Sequence, residues 1–279
     1  MKHALRAYAV ILLLWPRLLL GQAQRPVLLP TQPAAARVRE IQGRLAVYLK
    51  PETLQADKAQ HEQLFGQLKK TVADFVVAQL TAAPEMEWWQ MRGQLIRVLG
   101  TKYDESTPDH FHEPPYAFRV LRSSKEDPIV WAVAYAGDAS LGMGGSRTVV
   151  ESYVVANGKA RLAGSGGSEM DAYALKAEQI SNTSPNSTSI LIHGILGWAS
   201  GHVLPSAATM YAVSPAGVNK LWEFAAPGLQ FLGTEESVFV IEYHDEHRHE
   251  ENLPCTAVDA YSVGNGHEIP YRIVHQFIQ

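Results

Sequence analysis

Eight consecutive residues, His244-Asp245-Glu246-His247-Arg248-His249-Glu250-Glu251, set three imidazoles among four carboxylates. Neutral imidazole and carboxylate are suitable ligands for Zn²⁺ or another divalent ion. His247 and His249 share a face if the segment continues as a strand, because side chains two apart in a strand point the same way. A second cluster, Asp109-His110-Phe111-His112-Glu113, has similar chemistry. Neither follows the HExxH spacing or a closed structural-zinc pattern. The competing reading is a solvated acidic hairpin tip that keeps a strand edge from pairing with other strands. We take that reading forward, so no cofactor is expected and a divalent metal is the alternative.

Nucleophile motifs are weaker. Gly142-Met143-Gly144-Gly145-Ser146 and Gly164-Ser165-Gly166-Gly167-Ser168 are glycine-rich, but they join strand to strand and lack the helix N-terminus that a phosphate loop needs. In Gly197-Trp198-Ala199-Ser200-Gly201 the serine falls one place late for a nucleophile elbow. Cys255 is the chain's one cysteine; it can form no intrachain disulfide, and nothing beside it in sequence would activate a thiolate. Asn182-Thr183-Ser184 and Asn186-Ser187-Thr188 fit the glycosylation sequon.

The elements that position these groups divide into helices and strands. Val38, Ile41, Leu45 and Tyr48 predict a helix over 36–49, with Pro51 as its stop. Leu64, Phe65, Leu68, Val72, Phe75, Val76 and Leu80 predict a second, ending before Pro84. A third carries Trp88, Met91, Leu95, Ile96 and Leu99 on its inner side and ends at Gly100. Trp88-Trp89 is read as a core aromatic with a half-buried neighbour.

From Tyr116 onward, short β-branched and aromatic runs alternate with Gly, Pro, Asn and Ser, which is the pattern of strands and turns. An internal repeat lies within them. Tyr-x-Val occurs at Tyr153/Val155, Tyr211/Val213 and Tyr261/Val263. Each copy precedes a hairpin signal: Asn157-Gly158, Pro215-Ala216-Gly217 or Asn265-Gly266. An apolar run precedes each tyrosine, at Ile129–Tyr135, Ser189–Leu196 and Ser237–Tyr243, so that Val133, Leu191 and Ile241 each stand 20 residues before it. Equivalent buried positions are expected for these three residues, and likewise for the three tyrosines. A four-stranded antiparallel sheet per repeat fits the length.

Residues 211–224, Tyr211-Ala212-Val213-Ser214-Pro215-Ala216-Gly217-Val218-Asn219-Lys220-Leu221-Trp222-Glu223-Phe224, resemble one repeat of the pyrroloquinoline-quinone-type β-propellers. The resemblance implies a propeller blade and carries over no quinone-binding residue. The span 114–279 holds about three such units, fewer than the four to eight of closed propellers. The fold class expected is therefore α+β: a short N-terminal helical segment, then a mostly antiparallel β domain of about three units, as an incomplete propeller or a sandwich. Open edges would be covered by the helices or completed by a second chain, making a homo-oligomer.

Residues 1–23 read as a secretory signal peptide: Lys2 and Arg6, an apolar run from Ala7 to Trp15, and small residues before a cleavage site after Ala23. The domain plan is then a linker at 24–35, a helical segment at 36–100 and the repeat domain at 114–279. Cleavage would leave 21 basic against 28 acidic residues and take the formal charge from −4 to −7. An acidic, exported chain argues against nucleic acid and against attraction to anionic membranes. The functional reading is a secreted or periplasmic, non-catalytic binding or scaffold protein for a small ligand or a protein. Its ligand face comprises Trp198, His202, His244, Asp245, Glu246, His247 and His249, on the equivalent connections 136–146, 197–206 and 244–255. The alternative is a secreted metal-dependent hydrolase using the loop histidines, with Glu246 or Asp245 as base.

Overall fold

The computed structural model describes residues 27–49, 57–100, 117–123, 128–137, 147–167, 173–180, 187–195, 205–245, 255–264 and 269–278. Helix α1 (Gln32–Leu45) runs into a 3-10 turn (Ala46–Leu49) and is followed by α2 (Lys58–Ala82) and α3 (Trp88–Leu99). Among the described residues twelve strands follow in chain order. They are β1 (Ala117–Arg122), β2 (Ile129–Ala136), β3 (Thr148–Ala156), β4 (Lys159–Gly166), β5 (Tyr173–Ile180), β6 (Thr188–Ile195), β7 (Pro205–Ser214), β8 (Gly217–Pro227), β9 (Gln230–Glu235), β10 (Val238–His244), β11 (Thr256–Ser262) and β12 (Tyr271–Ile278). They form three four-stranded antiparallel sheets, β1–β4, β5–β8 and β9–β12, each with its strands in sequence order. The α+β expectation and the one-sheet-per-repeat expectation both hold.

The first helix begins at Gln32 rather than in the region of residue 36, since Pro33 sits at a helix start, where its missing N–H costs nothing. The expected linker therefore contributes Ala35 to the core and an extended arm ahead of it. Leu29 donates its N–H to Gln79 Oε1 (3.1 Å) and accepts from Gln79 Nε2 (2.8 Å), so the arm satisfies both ends of a fully buried amide. The α2 stripe from Leu64 to Leu80 is buried throughout. In α3 the buried positions are Met91, Gln94, Leu95, Val98 and Leu99. Trp88 and Trp89 are instead 48% and 58% exposed. Met86, just before the helix, is the fully buried side chain at this point of the core.

The sheets stack with one orientation. Tyr153, Tyr211 and Tyr261 each follow a bulge in the outer strand pair of their sheet, between 152 and 153, 210 and 211, or 260 and 261. The tyrosine face of the first sheet meets the helices: Arg147 Nη1 donates to Glu62 on α2 (2.8 Å) and its guanidinium lies over Phe65. The tyrosine face of the second sheet meets the first, where Ser152 Oγ donates to Ser214 O across the interface (2.7 Å). The tyrosine face of the third meets the second, with Trp222 packed on Tyr261 and Phe239, and Phe224 on Tyr243. Hence β2 and β3 are buried on both faces along almost their whole length, β2 as a continuous apolar run, while β10 and β11 alternate buried and half-buried.

Val133, Leu191 and Ile241 are all fully buried, but the expected equivalence holds only for the first and third. Tyr153 pairs with Trp131 and Tyr261 with Phe239, each 22 residues earlier, whereas Tyr211 pairs with Ile190, 21 residues earlier. The one-residue difference turns Leu191 to the opposite face of its sheet. It packs with Ile241, Phe239 and Tyr261 between the second and third sheets, while Val133 lies with Tyr153 in the core that joins helices and first sheet.

Three glycines fit requirements of the fold. Asn157 and Gly158 both take positive φ (51° and 70°), the two-residue hairpin geometry that the Asn-Gly pair favours. Gly164 and Gly217 let the first two sheets touch through their backbones, because a Cβ on Gly164 would lie 2.8 Å from Gly217 Cα. Gly164→Ala is therefore expected to cost about 1–3 kcal/mol as an overpacked contact. Urea unfolding of the variant checks it, and a cost under about 0.5 kcal/mol, typical of an open surface position, would refute the contact.

Candidate functional site

Corresponding strands of the first two sheets lie side by side, β1 near β5, β3 near β7 and β4 near β8. Gly166 approaches Tyr211 and Val218, and Gly164 approaches Gly217, so β3 and β7 run in the same direction. Between the second and third sheets, Trp222 then Phe224 meet Phe239 then Tyr243, which aligns β10 with β6. The three strand-end pairs Ala136/Thr148, Ile195/Pro205 and His244/Thr256 therefore stand at one end of the stack.

At that end the structure describes His244, the last residue of β10, and Asp245, whose N–H donates to Cys255 O (2.7 Å) and extends the β10–β11 ladder. Both are partly exposed. Trp198, His202, Glu246, His247 and His249 lie outside the described residues, as do the 109–113 cluster, Ser200, Asn182 and the Asn265-Gly266 pair. Among the described residues, no three His, Cys, Asp or Glu side chains converge as metal ligands.

Two further acidic groups, which no short motif marks, are placed by the repeat itself. Glu151 on β3 is buried and accepts hydrogen bonds from the hydroxyls of Tyr135 (3.2 Å) and Tyr153. Asp259 on β11 is fully buried and accepts from Tyr243 (3.3 Å) and Tyr261 (3.2 Å). The two constellations have the same spacing, a tyrosine 16 residues before the acid and another two after it. Each joins neighbouring strands on the tyrosine face. In the middle repeat those counts fall on His193 and Thr209, so the pattern is broken.

Their surroundings differ, and so does their electrostatics. Burial pushes the Glu151 carboxyl up to about 7, against the opposing pull of the two tyrosine hydroxyls and Lys69. Burial, and then the charge of Glu151, raises Tyr135 and Tyr153 well above the ordinary tyrosine value. Asp259 has hydrogen-bonding company from the edge strand β12. His275 Nδ1 lies 2.5 Å from its Oδ1, and Arg272 Nη1 donates to its Oδ2 (3.3 Å). The carboxylate hydrogen bond and charge raise Arg272, while burial and then the Asp259 charge raise Tyr261 and Tyr243. An imidazole held by a sealed carboxylate is oriented as a proton acceptor would be. Here the carboxylate is shared among four donors and fastens β12 to the sheet.

Among the described residues no helix is long and apolar enough to cross a membrane. No protein-family model matches this chain, and no curated protein matches it.

Proposed function

We propose that this is an exported, non-catalytic binding or scaffold protein that meets its partner with the end of the stack carrying His244 and Asp245. The supporting observation is the shared orientation of the three sheets, which brings the three equivalent strand-end pairs to that end. Binding surfaces of repeat arrays are commonly built on corresponding connections of this kind. The two buried acids support the same reading, since tyrosine hydroxyls occupy both in the packing between layers.

A photo-crosslinking residue at position 245 is expected to capture a discrete partner in the exporting cell. The same residue at Lys159, beside the hairpin at the opposite end, is expected to capture none. Replacing His244, His247 and His249 together by alanine should remove the capture and leave the melting temperature nearly unchanged, as surface substitutions do. Equal labelling from both ends, or a large stability loss in the triple variant, would refute the proposal. Zinc that survives dialysis in stoichiometric amount and is lost in the triple variant would favour the metal-dependent hydrolase.

A further inference from the structure

The two ends of the stack are unlike. The tyrosine face of the first sheet is sealed by α2 and α3, while among the described residues nothing covers the outer face of the third sheet, where Val238, Val240, Val258 and Ala260 are part-exposed. The outer strands of the first two sheets are guarded by charge: β4 carries Lys159 and Arg161, and β8 carries Lys220 and Glu223. Such residues discourage a strand edge from pairing with another chain. Strand β12 has less of this protection. Its one full charge, Arg272, is half exposed and paired with Asp259, His275 is also held on Asp259, and Tyr271 (58%), Ile273 (48%), Val274 (48%) and Ile278 (38%) are left exposed.

We propose that two copies of this chain associate through β12, edge to edge and antiparallel, about a twofold axis. A second copy is the occupant for three reasons. An antiparallel pair made by a strand and its own copy is what a twofold axis generates, so one edge suffices for both partners. The helical cap denies a copy the tyrosine face on which the second and third sheets are built, so head-to-tail stacking is closed and a self-complementary contact is favoured. Charge favours the same place. The whole chain has 28 acidic residues against 24 basic ones, but Tyr271–Ile278 contains no acid. Two net-negative molecules therefore meet along this strand without acid facing acid. The contact would join two four-stranded sheets into one of eight strands. Strand β12 reaches the binding end only at Ile278, beside Thr256 and two strands from His244, whereas Val274 pairs with Ala260 in mid-sheet, so the His244/His247/His249 triple variant should dimerise normally.

Sedimentation equilibrium of the full chain tests this. A monomer–dimer equilibrium is expected, abolished by Ile273→Lys with Val274→Lys and retained by Leu162→Lys, which adds a charge to the outer strand of the first sheet. Val274→Cys in a Cys255→Ser background, which keeps the test open if the double-lysine variant misfolds, should crosslink to its own copy under oxidation. Leu232→Cys, on the opposite edge of the same sheet, should not. A wild-type chain monomeric up to about 100 µM would overturn the proposal, because an association weaker than that is not a stable dimer. A dimer indifferent to the β12 lysines, or one that crosslinks through position 232 and not 274, would overturn it as well.

Discussion

Leu191→Ala and Ile241→Ala should each destabilise the protein by about 2–5 kcal/mol and should not add when combined. Each side chain is fully buried, and the two belong to one cluster between the second and third sheets, with Phe239, Tyr261 and Met210. Truncating either removes its transfer free energy and leaves a cavity whose walls are fixed by the packed aromatics around Trp222. Once one is gone, part of the contact surface of the other is gone as well, so a coupling of about 0.5–3 kcal/mol is expected. Val133→Ala, in the core shared by helices and first sheet, should instead add to Leu191→Ala within about 0.5 kcal/mol. Denaturant unfolding of the singles and doubles distinguishes the cases. Coupling of Leu191 to Val133 rather than to Ile241 would mean that the register of β6 on β7 is not the one described.

That contrast shows how far the chain can be read from its residues. The helices were legible because an apolar stripe at i, i+3 and i+4 survives any tertiary arrangement, and because Pro84 and Gly100 mark stops that backbone chemistry enforces. The repeat was legible through Tyr153, Tyr211 and Tyr261, since each sits at a fixed distance from a tight hairpin or bulge that sets its face. The matching of Val133 with Leu191 was not. Counting along the chain passes through the connection between strands, and one residue more or less there reverses the face without changing the composition of the strand.

The buried acids escaped for a different reason. A carboxylate in a strand ordinarily reads as an outward position, and only the tyrosines at −16 and +2 identify Glu151 and Asp259 as members of a buried set. That signal was available, in two repeats of three. The histidine cluster at 244–251 was found because its spacing is local, but local spacing says nothing about which other connections share its end of the fold. The stacking of the sheets supplied that information.

Glu151 should make the protein lose about 3 kcal/mol of stability between about pH 4.5 and pH 7, and Glu151→Gln should remove that loss. The carboxyl lies at about 7 in the fold and at the ordinary 4.5 in the open chain. Below 4.5 both states hold the proton and the group imposes no penalty. Between the two values the open chain releases its proton while the folded chain keeps it, so rising pH favours unfolding until the folded carboxyl ionises as well. Above 7 the full difference is lost, about 3 kcal/mol at 1.36 kcal/mol per pH unit. The direction is opposite to that of a carboxylate held by a salt bridge, and it follows from burial outweighing the hydroxyls of Tyr135 and Tyr153. Glutamine offers one of those hydroxyls an acceptor and the other a donor, so the variant keeps a partner for each without a charge to desolvate. The difference between wild type and variant in urea midpoint, followed from pH 4.5 to 8, isolates this group from every other titration. Parallel curves would show that Glu151 ionises in the fold as readily as in water, and that the helices do not seal the tyrosine face of the first sheet.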